Sequence, residues 1–89
     1  SNQEVAININ FPKSESDEYG YVKGVTYSLG DLWFLTSNGI LRYNPVTQVQ
    51  KGYTVKDGLV ANEVDSLIVT KNALWATSHW AGLAKVPLD

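Results

Sequence analysis

The apolar and polar positions of this chain alternate in short runs. Val5-Ala6-Ile7-Asn8-Ile9-Asn10-Phe11 alternates with a period of two, which predicts a half-exposed strand that Pro12 ends. Lys13 to Glu18 is polar and charged and reads as a loop. Val22 to Leu29 predicts a second strand with Val25, Tyr27 and Leu29 on one face, and Gly30-Asp31 a turn. Leu32 to Thr36 is apolar on both faces, as an interior strand should be. Asn38-Gly39 predicts a two-residue hairpin of type I′, a turn that needs positive φ. Ile40 to Tyr43 follows as a strand, Asn44-Pro45-Val46-Thr47 as a turn, and Val49 to Val55 as an outer strand. Asp57-Gly58 marks another turn. The cycle then restarts: Leu67-Ile68-Val69 as a strand, Lys71-Asn72 as a turn, Leu74 to Thr77 as an interior strand, Ser78 to Ala81 as a loop and Gly82 to Val86 as a strand.

The restart is a repeat. An offset of 42 positions carries Leu32-Trp33 onto Leu74-Trp75, Val22 onto Val64, Val25 onto Leu67 and Gly30 onto Asn72. The second copy has one extra residue after its tryptophan, so Gly39 matches Gly82, Ile40 matches Leu83 and Arg42 matches Lys85. Period-two patterning excludes helical repeats of similar length. A period near 42 with four strands per unit predicts two β-propeller blades. Their strands, named A to D, fall at about 22–29, 31–37, 39–44 and 47–55, then at 64–71, 73–78 and 82–87. The blades are thus expected over 20–55 and 57–89, the second without its D strand. Segment 1–13 supplies a D-type strand, since an offset of 42 lays Ile7 on Val49 and Phe11 on Tyr53. Propellers avoid open edges by closing a blade with a strand from the other terminus, so 5–11 is expected beside 82–87, within one chain or across chains. Two blades cannot close a ring. The chain is therefore expected to be part of a longer propeller or to assemble from identical copies.

The residues Asp57-Gly58-Leu59, Asn62, Val64, Leu74-Trp75, Ser78 and Gly82-Leu83 resemble the two-component regulator propeller repeat. In that family each blade reads roughly D-G-L, N-x-V, L-W-I-G-T and G-L-x-x-Y-D-P. Leu32-Trp33-Phe34-Leu35-Thr36, Gly39-Ile40 and Tyr43-Asn44-Pro45 follow the same pattern, so the likeness covers about residues 20–87. The first copy departs from it with Glu18-Tyr19-Gly20-Tyr21 in place of D-G-L. Leu35 and Thr77 stand where the family has a small glycine. The resemblance implies a non-enzymatic sensor or interaction module. Such a module is the periplasmic or extracellular part of a bacterial inner-membrane receptor, which binds a ligand or mediates dimerisation.

Composition narrows the chemistry. Seven basic against nine acidic residues give a net charge of −2, and no Lys/Arg cluster suits a nucleic-acid backbone. No apolar run reaches the ~18 residues of a membrane span, so direct insertion of this segment is not expected. Absence of cysteine removes disulfides, thiol catalysis and Cys-ligated zinc. No cofactor is expected.

Trp33 and Trp75 could serve as stacking platforms, but equivalent positions within apolar strands favour core packing. Trp80 has no counterpart in the first copy, where Asn38 stands, and lies beside His79, the single histidine. Loops unique to one repeat are where binding residues concentrate. Trp80, His79 and Asn38 are therefore the candidate contacts for a carbohydrate or other small molecule, with capping of a neighbouring blade as the plainer role for Trp80. Ser37, His79 and Asp57 can be strung into a triad, yet no nucleophile-elbow signature supports one. Glu15, Asp17 and Glu18 lack the glycine and distal glutamate of an EF-hand loop. The alternative functions are a propeller-based lyase or cyclotransferase, which needs converging acids and histidines, and a purely structural assembly module.

Overall fold

The computed structural model describes residues 6 and 20–88. The strand expected at 5–11 and the acidic loop at 13–18 lie outside these residues. The chain forms two antiparallel sheets in sequential order. Strands β1 (Val22–Ser28), β2 (Asp31–Thr36), β3 (Gly39–Tyr43) and β4 (Gln50–Tyr53) make the first; β5 (Ser66–Val69), β6 (Ala73–Ser78) and β7 (Gly82–Pro87) make the second. No α-helix occurs among the described residues; a single 3-10 turn spans Val55–Asp57.

Cross-strand pairing sorts each sheet into two faces. Leu35 pairs with Ile40 and Trp33 with Arg42, while Ile40 pairs with Tyr53. Trp33, Leu35, Ile40 and Tyr53 therefore share one face. In the second sheet, Leu67 pairs with Ala76 and Leu74 with Val69 and Val86, which puts these on one face. The two faces pack on each other and bury Trp33, Ile40, Leu74, Ala76 and Val86 in one core with Tyr53, Leu59 and Val64. The sheets also touch through their first strands. Ser28 Oγ donates to the Val69 carbonyl at 3.3 Å, and Lys23 Nζ lies 3.9 Å from Asp65 Oδ1. Lys23 is the extra residue of a bulge between Val22 and Gly24, which turns its ammonium toward the second sheet.

Several boundaries differ from the sequence expectation, each for a local reason. The outer strand expected at 47–55 is confined to Gln50–Tyr53. On its N-terminal side Asn44 holds the chain in a loop: its Oδ1 accepts from the N–H groups of Val46 and Thr47, and its carbonyl from Gln48 N–H. On the other side Thr54 and Asp57 form a reciprocal cap that starts the 3-10 turn. The strand expected at 64–71 is likewise shorter, Ser66–Val69. The first hairpin turns at Leu29-Gly30 rather than Gly30-Asp31, because Ser28 pairs with Asp31. Both turn residues have positive φ, 58° and 80°, as a type I′ turn requires. A leucine there costs on the order of 1–2 kcal/mol.

Asn38-Gly39 is not the type I′ pair expected. Thr36 pairs with Gly39, so Ser37 and Asn38 form the loop, and of Asn38 and Gly39 only the glycine has positive φ (110°). Gly39 is required twice over. Its backbone needs that φ, and a Cβ there would collide with the Tyr53 carbonyl oxygen. Gly82 shares the φ of 110°, but among the described residues no atom beyond its chain neighbours lies within 4 Å of where a Cβ would sit. Gly82→Ala is accordingly expected to cost the ~1–3 kcal/mol of an unfavourable backbone region, and Gly39→Ala clearly more. Urea unfolding of both variants measures the difference; equal losses would contradict the close approach at Tyr53.

Candidate functional site

The turns at one end of the sheets gather the candidate contacts. The β2–β3 loop, the β6–β7 loop, the starts of β1 and β5, and the connection from Tyr53 to Val64 all lie there, as the strand pairings require.

That connection is built by its sequence. Thr54 Oγ1 accepts from Lys56 N–H and Asp57 Oδ2 from Thr54 N–H, so the first turn caps itself. Gly58 ends it in the left-handed conformation (φ 117°), which favours glycine. Leu59, 5% exposed, then plugs into the core. Asn62 ties both ends: its Oδ1 accepts from Val55 N–H at 2.9 Å, and its carbonyl from Gly39 N–H at 2.6 Å. Val64 is buried behind it. The residues Asp57, Gly58, Leu59, Asn62 and Val64 thus each hold the strand-to-strand connection in place. An open cleft of about 510 Å³ lies against it, lined by Asn38, Thr54, Lys56, Asp57 and Asn62 among others.

His79 and Trp80 sit apart from this cleft, on the three-residue β6–β7 loop. Ala81 N–H closes the loop on the Ser78 carbonyl at 3.1 Å. Asp65 Oδ2 accepts from His79 N–H and contacts His79 Nδ1 at 2.7 Å. The His79 ring meets the Trp80 indole edge-on, with centroids 6.5 Å apart. Trp80 is 68% exposed, so its indole is held at the base and open to solvent. Lys23, 3.8 Å from Glu63 Oε2 and 3.9 Å from Asp65 Oδ1, extends this polar line to the first sheet. The hydrogen bonds from the His79 side chain and backbone, with the Lys23 charge, hold the Asp65 carboxyl below its ordinary value.

The structure therefore divides the candidates: Asn38 joins the Asp57–Asn62 connection, and Trp80 and His79 join Asp65. Ser37, His79 and Asp57 have separate partners, Tyr21 N–H, Asp65 and Thr54 N–H respectively. No group of three or more His, Cys, Asp or Glu side chains among the described residues could hold a metal ion. No helix among them is long and apolar enough to cross a membrane.

The two repeat-equivalent tryptophans have different surroundings. Trp33 is fully buried, donates its indole N–H to the Ser28 carbonyl at 2.9 Å and stacks on Tyr53 at 5.9 Å. The Arg42 guanidinium lies 4.5 Å above its ring. Trp75 is half-buried on the far face of the second sheet, with Lys85 Nζ 5.2 Å from its ring. Leu32 is half-buried and Leu74 fully buried.

A second polar group, at the opposite end, is one that sequence reasoning missed. Asp31 accepts from Arg42 Nε at 2.6 Å and from Asn44 Nδ2 at 2.8 Å. Burial works against the Arg42 charge, but hydrogen bonds and charge from Asp31 and Tyr53 outweigh it and raise the group further. Asp31, Arg42, Asn44 and Lys51 line a shallow cleft of about 410 Å³. The signal that could have found it is the hairpin itself, which sets Arg42 opposite Trp33.

No protein-family model matches the chain, and neither the curated proteins nor the solved structures gave a significant match.

The loop chemistry has measurable consequences. A depressed Asp65 stabilises its loop above the ordinary carboxyl value of 3.8, and that contribution is lost as pH falls through the lowered value. Trp80 fluorescence should therefore change on acidification with a midpoint below 3.8, and Asp65→Asn should remove the transition. Identical acid profiles for the two proteins would show that Asp65 does not hold the loop. At the repeat-equivalent positions Thr36 and Ser78, the outcomes should diverge. Thr36 Oγ1 accepts from Asn38 N–H and donates to the Gly39 carbonyl, so Thr36→Ala should cost about 1–3 kcal/mol. Ser78 Oγ is buried with no hydrogen-bond partner among the described residues, so Ser78→Ala should be neutral or stabilising in the same denaturation assay.

Proposed function

We propose that the two sheets are successive blades of a β-propeller and that the chain is a non-enzymatic recognition segment. Its place in this reading is the extracytoplasmic, ligand-sensing part of a bacterial signalling receptor, as the repeat's resemblance suggests. The blade assignment is supported by the same cross-strand device in both sheets: Trp33 opposite Arg42 and Trp75 opposite Lys85, each cation above its indole. It is supported too by the meeting of the first strands, where Lys23 and Asp65 occupy positions 42 apart and touch.

Recognition rests above all on one observation, the exposed Trp80 indole on a loop anchored through His79 to Asp65. A large aromatic face beside polar donors suits a sugar ring or a similar small amphipathic ligand. An assembly module is the second reading, favoured by the apolar side chains exposed on the outer sheet faces: Val25, Tyr27, Ile68 and Leu83.

Titration with a panel of neutral oligosaccharides, read by tryptophan fluorescence, tests the recognition role. A saturable shift is expected in the native chain and should be lost in Trp80→Ala, whose thermal unfolding should be unchanged because the side chain is exposed. If Trp80→Ala responds like the native protein, the recognition role of this loop is refuted.

A further inference from the structure

The interface between the two sheets is directional. The Trp33 face of the first sheet packs on the Leu74 face of the second. Each of these faces has a repeat equivalent on the outside of the molecule. The Trp33 face, carrying Thr26, Ile40 and Arg42, corresponds to the outer face of the second sheet, with Ile68, Trp75, Leu83 and Lys85. There Ile68 is 66% and Leu83 57% exposed, with Trp75 half-buried between them.

The covering face corresponds in the same way to the outer face of the first sheet. Leu67, Val69, Leu74, Ala76 and Val86 map onto Val25, Tyr27, Leu32, Phe34 and Tyr43. All five are apolar or aromatic. Val25 and Tyr27 are 55% and 67% exposed, while Leu41, opposite Phe34 on the same face, is buried. A surface that only faced water would not need this set; a face built to cover a tryptophan and its flanking aliphatics would.

We infer that a second copy of this chain docks head to tail. Its first sheet lays Val25, Tyr27 and Leu32 over the Trp75, Ile68 and Leu83 of the first copy. The contact continues the interface already present inside the chain and repeats its register. Because the two surfaces differ, the contact is heterologous, and successive copies close into a ring or extend as a filament. The inference rests on reading the sheets as successive repeats. A monomeric chain whose Trp80 loop still binds saccharide would overturn the assembly alone.

The test uses the full chain and two charged variants, Tyr27→Glu and Ile68→Glu. Both positions are solvent-exposed, so circular dichroism should show both variants folded. Sedimentation equilibrium of the native chain at about 100 μM should give a mass above the monomer, a concentration at which contacts of micromolar strength are populated. Each variant alone should be monomeric, since one of its two faces is blocked. Mixed, they should form a dimer and nothing larger, because Ile68→Glu still offers an intact Tyr27 face and Tyr27→Glu an intact Ile68 face. A monomeric native chain would overturn the inference and leave the face to a partner other than a second copy. Variants that associate like the native chain, or a mixture of folded variants that stays monomeric, would overturn it as well.

Discussion

The first sheet depends on the packing of Trp33. The indole is fully buried, stacked on Tyr53 and covered by the Arg42 guanidinium. Removing ~150–250 Å² from water is worth about 4–6 kcal/mol, several times a cation–π contact of ~0.5–2 kcal/mol. Burial therefore contributes most of the stabilisation, and the cation serves mainly to seal the ring. A guanidinium in that position would be costly if left unpaired. Asp31 pairs with it, and Asn44 donates to the other carboxylate oxygen. Asn44 in turn fixes the following loop with its amide oxygen, so the start of β4 is set by the same chain of contacts. Core burial, charge pairing and loop geometry are thus one connected arrangement.

The second sheet repeats the tryptophan without its support. Ala73 stands where Asp31 does, Lys85 replaces Arg42, and Pro87 falls at the position of Asn44. Among the described residues Lys85 therefore covers Trp75 without a carboxylate behind it, and at a longer distance, 5.2 Å against 4.5 Å. The hairpins diverge in the same way. A two-residue loop lets the Thr36 hydroxyl satisfy itself on Asn38 and Gly39. One residue more in the second loop leaves Ser78 without that arrangement but pushes Trp80 outward, with His79 turned onto Asp65. Local satisfaction is lost at Ser78, and an exposed aromatic is gained.

Strand order was legible because a period of two and a 42-residue offset leave few alternatives. The core face was not: alternation sets Val25 and Tyr27 on one face of β1, which is exposed, and Leu32 to Thr36 is apolar on both faces. The roles of Gly58 and Leu59 were also within reach, since Thr54-x-x-Asp57 ahead of them spells a reciprocal cap, where Asp57-Gly58 alone marks only a turn. Turn registers were not legible. Asn38-Gly39 carries the strongest local hairpin signal, yet the pairing of Thr36 with Gly39 moves the loop back one residue. Leu29 adopts positive φ against its own preference because the strands on either side fix where the turn must fall. The Asp65–His79 contact joins residues 14 apart in sequence, across the start of one strand and the end of another. Alternation within a strand carries no information about such a meeting. The bulge that turns Lys23 toward Asp65 was hidden for the same reason.

The division between the two ends of the sheets follows from where polar groups are satisfied. At the Asp31–Arg42–Asn44 end, the side-chain hydrogen bonds close on one another within the first sheet, and the result is a fixed edge around Trp33. At the other end the contacts run between sheets, from Lys23 to Glu63 and Asp65 and on to His79. Charges shared between two sheets at a solvent-exposed surface are individually weak, because water and salt screen them. They cannot hold the sheets together against the apolar core, but they can set where a loop points. The proposed recognition role draws on this arrangement: a body whose stability comes from buried indole and aliphatic side chains, and a loop oriented by weaker contacts.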